Sequence, residues 1–208
     1  MEQTIELSIP EMLEALKVCV ISGVTPCMVS SPGIGKSSIW RDFCRMVDAK
    51  DREMRLADSG VEDLKGVPMP QDDGTLRYYL PRTLPREKDG RAGLLIDEVK
   101  QAPNISTMNA AARLILDGKL EDYELPPEAF LGLAANYDSD KAGTIKLPTH
   151  VRNRICWLYL RSDLDVWLHW GSGGSMVPPP VERITIGKRG SGFMMPAPML
   201  AFIKLRPA

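Results

Sequence analysis

Residues Ser30 to Ser37 read Ser-Ser-Pro-Gly-Ile-Gly-Lys-Ser, a short glycine-bearing loop that ends in a lysine and a serine. Those residue types suit phosphate chemistry. Glycines at 33 and 35 let the backbone turn its N–H groups inward and approach an anion without a Cβ in the way. A helix starting at the end of the loop adds partial positive charge. Pro32, Gly33, Ile34, Gly35, Lys36, Ser37 and Ser38 are the candidate nucleotide-binding residues. Lys36 is placed to reach β- and γ-phosphates, and the Ser37 hydroxyl to ligate Mg²⁺. The usual phosphate loop is G-x-x-x-x-G-K followed by Ser or Thr. Here Ser30 takes the place of the first glycine.

Three further segments could serve the same chemistry. Leu94-Leu95-Ile96-Asp97-Glu98 is an apolar run that ends in two acids. Acids at the carboxyl end of a buried parallel strand face the crevice where ligands bind in such sheets. Asp97 would hold Mg²⁺ with Ser37, and Glu98 would act as general base on water. Asn136 ends the apolar run Leu131 to Ala135. If its strand neighbours that of Asp97, its amide could orient water between Glu98 and a γ-phosphate. Arg152 and Arg154 flank Asn153 just before the apolar run at Ile155. A guanidinium delivered from one subunit to a phosphate held by the next would stabilise transition-state charge.

Something must position these residues. Ser8 and Glu11 form an S-x-x-E capping box, and Ile9, Met12, Leu13, Leu16 and Val20 follow at helical spacing. Cys27 to Val29 reads as a short strand into the loop. Ile39, Trp40, Phe43, Cys44 and Val47 mark one face of the helix after it. Residues 53–58 are expected to be a second strand, and Asp72-Asp73-Gly74 a hairpin turn. A helix is expected from Asn104 to Leu116, capped by Asn104 or Ser106 and stopped by Gly118. Strands are expected at 130–136 and 155–160, and a short helix at 163–170. Strands alternating with helices imply an α/β fold, a central parallel sheet flanked by helices.

Composition narrows the function classes. The 208 residues carry 26 basic and 27 acidic side chains, a net charge of −1. Attachment to nucleic acid through bulk charge is therefore disfavoured, and no basic, aromatic-bearing stripe is present. Cys19, Cys27, Cys44 and Cys156 show no C-x-x-C spacing and read as reduced thiols of a cytoplasmic protein. The uncharged stretch from Val18 to Gly35 is long enough to raise a membrane question, but glycines, prolines and hydroxyl residues break it. The first residues, with Glu2 and Glu6, do not form a basic-then-apolar secretion signal. His150 and His169 lack partners at metal spacing. Trp167 and Trp170 read as packing residues, and Met194, Met195 and Met199 as core or interface filler.

Taken in order, these motifs resemble the AAA+ ATPases, and within them the MoxR-like branch, over roughly residues 8–170. Gly33 to Ser37 is similar to that family's Walker A loop. Leu94 to Glu98, running on through Val99-Lys100-Gln101-Ala102-Pro103, is similar to its Walker B strand. Leu116 to Leu120 matches the turn after the next helix, and Ala134-Ala135-Asn136 its sensor 1 strand. Leu147-Pro148 through Asn153-Arg154 resembles its L-P-x-x-x-x-D-R-F segment. That aligns Arg154 with the arginine finger, although Asn153 and Ile155 depart from the pattern and Arg152 competes. Asp63 to Gly66 and the stretch up to Leu84 resemble the family's helix-2 insert.

The resemblance implies a P-loop NTPase core at residues 1–170 that uses ATP and Mg²⁺. It also implies a homo-oligomeric ring, often a hexamer, that remodels or matures proteins, sometimes beside a von Willebrand A-type partner. The alternative is a nucleotide-holding scaffold with little turnover. Residues 171–208 are expected to be a Gly/Pro-rich linker and the start of a truncated or incomplete helical lid. Arg183, Lys188 and Arg189 are its basic residues, and none is assigned as a sensor 2 residue.

Overall fold

The computed structural model describes residues 6–137, 147–162, 168, 172 and 184–187. The chain starts with a two-residue strand β1 (Glu6–Leu7) and helix α1 (Ile9–Ile21). The Glu11 carboxylate accepts from both the Ser8 backbone N–H and its hydroxyl, each at 2.8 Å, closing the expected capping box from the glutamate side. Strand β2 (Thr25–Val29), the glycine loop and helix α2 (Lys36–Met46) follow. Strand β3 (Lys50–Arg55) is next, then a 3₁₀ turn at Leu56–Asp58. The second strand therefore begins and ends earlier than the sequence pattern of 53–58 suggested. Its Lys-Asp-Arg-Glu-Met-Arg composition hides it, because it is an edge strand with one buried side chain, Met54.

A short helix α3 (Val61–Lys65) leads into a hairpin of β4 (Val67–Pro70) and β5 (Leu76–Tyr79), with Gly74 at φ 83° in the expected turn. Strand β6 (Ala92–Asp97) precedes helix α4 (Ile105–Asp117). Asn104, not Ser106, caps α4, its Oδ1 accepting from Thr107 N–H at 2.9 Å, and Gly118 ends it at φ 68°. A second hairpin, β7 (Lys119–Leu120) and β8 (Tyr123–Glu124), was not legible in the sequence. Strand β9 (Ala129–Ala135), helix α5 (Thr149–Arg152) and strand β10 (Ile155–Leu160) complete the described elements.

Six strands form one sheet in the order β1-β10-β2-β9-β6-β3, and every pairing is parallel. This is the expected α/β fold with a central parallel sheet. Strands β2, β6 and β9 are apolar over most of their length because both faces are covered. Met28, Leu95, Phe130 and Ala134 face α1 and α2, whereas Cys27, Val29, Leu94, Ile96, Leu131 and Leu133 face α3, α4 and α5. Phe130 packs edge to face against Trp40 and Phe43, which are tilted to one another, with ring centroids 5.6–5.8 Å apart between α2 and the sheet. Gly132 lies under the Trp40 ring, and Gly93 against Cys44 and Phe130.

The segment at 184–187 packs on the end of α1. Ile184 is buried, and the Gly187 N–H donates to the Val20 carbonyl at 3.0 Å. The expected helix at 163–170 lies outside the described residues except for Leu168. So do His169, Trp167, Trp170, Arg183, Lys188, Arg189, Met194, Met195, Met199 and most of the expected linker and lid. Among the described residues, no helix is long and apolar enough to cross a membrane.

A Cβ at position 132 would sit inside the Trp40 ring. Gly132→Ala should lower the unfolding free energy by about 1–3 kcal/mol through overpacking. Denaturant titration would check it, and an unchanged midpoint would mean that Trp40 repacks freely.

Candidate phosphate site

The strand order decides which side chains meet. In a parallel sheet, ligands gather at the carboxyl ends of strands where neighbouring connections run in opposite directions. Here that point is the end of β2. Its neighbour on one side is β9 and on the other β10. From β2 the chain crosses to β3 at the sheet edge and returns inward through β6 and β9. Three loops therefore open side by side: Ser30–Gly35 after β2, Asn136 after β9, and Glu98 after β6. The adjacency of the Asn136 and Asp97 strands, left conditional by the sequence, is present in the β6–β9 pairing.

The loop leaves β2 still tied to its neighbour, with Ser30 N–H donating to the Ala135 carbonyl at 3.3 Å. Gly33 and Gly35 adopt φ of 81° and 94°, the left-handed region in which a Cβ is disfavoured. Nothing lies within 4 Å of a Cβ built on Gly33, so open space stands over the turn. Gly35 is the N-cap of α2, and Lys36, Ser37 and Ser38 form its first turn. That turn leaves backbone N–H groups without helical partners. Ser31, Pro32 and Gly33 are exposed, while Ile34 packs against the cluster under α2.

Lys36 is 8% exposed. Its ammonium donates to Asn136 Oδ1 at 2.8 Å and lies 3.2 Å from each of Ser30 O, Ser30 Oγ and Ser31 O. Burying a cation is costly unless oxygens surround it, and four do so here. Ser37 Oγ and Asp97 Oδ2 are 3.4 Å apart. That is long for a direct O–H···O bond. It is close to the roughly 3 Å spacing of two adjacent oxygens on an octahedral Mg²⁺ with bonds of about 2.1 Å. Mg²⁺ characteristically takes one or two protein oxygens and completes its shell with water and phosphate. Ser37 with Asp97 is a donor set of that kind, so the residues present fit the ion. Among the described residues, no three His, Cys, Asp or Glu side chains cluster to hold a metal ion.

Glu98 is half-buried and stands at φ 52°, an uncommon backbone state for a residue with a side chain. The Asp97 carboxylate holds the turn, accepting from Glu98 N–H at 2.7 Å.

Lys100 was missed by sequence reasoning. Its ammonium lies 3.4 Å from the Asn136 carbonyl and 5.3 Å from the centre of the Trp157 ring. Asn136 thus has one lysine on its side-chain oxygen and another on its backbone oxygen. The only sequence signal was a basic residue three positions after Asp97, and helical or strand periodicity says nothing of a turn.

Arg154 and Arg152 are exposed and precede β10. Ile155 pairs with Thr25 and Tyr159 with Val29, so the arginines sit at the amino edge of the sheet. About four residues of strand, about 13 Å, separate that edge from the end of β2. The structure brings Lys36, Ser37, Asp97 and Asn136 together at one end, with Glu98 on the adjoining turn, and places Arg154 at the other. A role for Arg154 at the phosphates of its own subunit is not supported by this placement.

No protein-family model and no curated protein matches the chain. Among solved structures, it is similar to a candidate ATPase from Cytophaga hutchinsonii ATCC 33406, with a TM-score of 0.60 at 19% identity. That match covers 79% of this chain and 50% of the other, so the chain spans about half the length of that structure. NtrX from Brucella abortus is a weaker likeness, with a TM-score of 0.49 and 15% identity over 74% of this chain and 36% of that one, and carries no weight here. At such identities the first match speaks to fold alone: a central parallel sheet flanked by helices.

Cys27, on β2 beneath the loop, reports on this environment. Burial pushes its thiol up to about 12, against the opposing pull of Lys100 and Lys36. Burial also pushes Cys44 up, whereas a hydrogen bond with Cys19 holds the half-buried Cys156 below the usual thiol range. Alkylation of the native chain at pH 8, read by peptide mass spectrometry, should label Cys156 first and leave Cys27 and Cys44 unlabelled until unfolding. Early labelling of Cys27 would contradict the closed packing under the loop.

Proposed function

We propose that this chain binds ATP with Mg²⁺ and hydrolyses its terminal phosphoanhydride, as an AAA+ ATPase of the MoxR-like branch. The observation that carries the reading is the meeting of Lys36, from the loop after β2, with Asn136, from the end of β9, at 2.8 Å, while Ser37 and Asp97 face each other beside them. These residues are separated by up to a hundred positions, and the parallel sheet delivers them to one edge.

In this reading, the loop amides of residues 33–38 and the Lys36 ammonium take the β- and γ-phosphate oxygens. Ser37 and Asp97 would hold Mg²⁺, which when bound neutralises charge developing on the phosphate oxygens. Glu98 accepts a proton from the attacking water as that oxygen bonds to the γ-phosphorus. The bond to the β-bridging oxygen breaks, and ADP leaves with the electron pair. Asn136 orients the water. Arg154, at the opposite edge of the sheet, acts on the site of a neighbouring subunit, which calls for a homo-oligomeric ring. Remodelling or maturation of protein partners, including a von Willebrand A-type partner, and a cytoplasmic setting belong to the same proposal. The near-neutral charge sets nucleic acid apart from it.

The second reading is a nucleotide-holding scaffold with little turnover. Ser30 in place of the first loop glycine favours it. The intact Asp97-Glu98 pair, with Asn136 held against Lys36 beside it, favours hydrolysis.

Lys36→Ala should abolish nucleotide binding in equilibrium titration. Glu98→Gln should retain binding but lower phosphate release by about two to four orders of magnitude. Equal turnover by Glu98→Gln and the unaltered chain would remove the assigned base, whereas negligible turnover by both with binding kept would leave the scaffold reading.

Arg154→Ala should bind ATP normally yet turn over slowly. Mixing it with Lys36→Ala should restore some turnover, because each supplies what the other lacks. No gain on mixing would argue against a shared site between subunits.

A further inference from the structure

The residue at the start of the loop departs from the phosphate-binding pattern, and its side chain is engaged. Ser30 is 1% exposed. Its hydroxyl donates to the Ser31 carbonyl at 3.0 Å, which fixes the rotor and turns the oxygen lone pairs elsewhere. The Lys36 ammonium lies on that oxygen at 3.2 Å. Ser30 N–H is tied to the Ala135 carbonyl at 3.3 Å, one residue before Asn136. Ser30 and Asn136 are therefore held at a set spacing, and Lys36 is bound between them.

We infer that Ser30 is a positioning residue that sets nucleotide affinity: its hydroxyl holds Lys36 in a resting position from which phosphate must draw it. This rests on the nucleotide-binding reading above. An ammonium has three N–H groups, and four protein oxygens already lie within reach of this one. Two of the four, Ser30 O and Ser31 O, are backbone oxygens that any residue at those positions supplies. The other two, Ser30 Oγ and Asn136 Oδ1, depend on side-chain identity. Two phosphate oxygens bind the ammonium only when two resting contacts are given up, and the contacts to Ser30 Oγ and Asn136 Oδ1 are the pair that side-chain identity governs. A glycine at position 30 offers no such hydroxyl, so the serine adds resistance to phosphate entry without touching the phosphate.

The test is titration of the full chain with Mg²⁺ and a fluorescent ATP analogue, for the unaltered protein, Ser30→Ala and Ser30→Gly, with thermal unfolding of each measured alongside. Both variants delete the hydroxyl, and alanine keeps the Cβ. Each is expected to bind about threefold to tenfold more tightly, the range that the net worth of one ordinary hydrogen bond converts to. A merely structural role for Ser30 would loosen binding and lower the melting temperature instead. Binding by the unaltered chain with equal or weaker binding by the folded variants would overturn the inference while leaving the nucleotide reading intact. Absence of binding by the unaltered chain would overturn both. If one variant fails to fold, the other decides.

Discussion

A single buried cation organises this end of the molecule. The Lys36 ammonium is withdrawn from solvent and rests on oxygens from two strand ends, the loop after β2 and Asn136 after β9. A charge in that position needs its oxygens at hydrogen-bond distance, because an unpartnered ammonium costs far more than one bond returns. Its position therefore ties the loop backbone, the first turn of α2 and the carboxyl end of β9 to one another. Lys100 extends the constraint by reaching the Asn136 carbonyl from the turn after β6. Two cations thus hold one asparagine, and the three loops are bound together by charge and not only by the sheet below them.

That arrangement stands on an apolar floor. β2, β9 and β6 lie side by side, buried on both faces, and their pairings run in register up to the loops. α2 is anchored by Trp40 and Phe43 against Phe130, with Gly132 leaving room for the indole. The helix start that would meet an anion is held by aromatic packing about one turn further along. Packing and site are coupled through α2, since a shift of its buried face would displace Lys36 and Ser37 together.

Much of the local structure was legible because it depends on close neighbours in the chain. The Ser8–Glu11 box, the Asn104 cap, the Gly118 stop and the turn at Gly74 each involve residues within a few positions of one another. The inner strands were visible as apolar runs, since parallel strands buried on both faces carry no alternation. β3 was misplaced because an edge strand exposes charged side chains and so resembles a loop. β1, with two residues, and the β7–β8 hairpin are too short to leave a periodicity.

The sequence by itself determined the chemical inventory: a glycine loop ending in Lys36-Ser37, an acid pair at 97–98, an amide at 136 and arginines before β10. It also determined that helices and strands alternate, because the spacing of apolar residues is a property of the chain alone. Only the tertiary structure decided who meets whom. The order β10-β2-β9-β6 sets Asn136 between the loop and Asp97, brings in Lys100, and leaves Arg154 at the far edge. The physical reason is that strand order follows from which apolar faces bury against one another across long separations, and no local pattern encodes that choice.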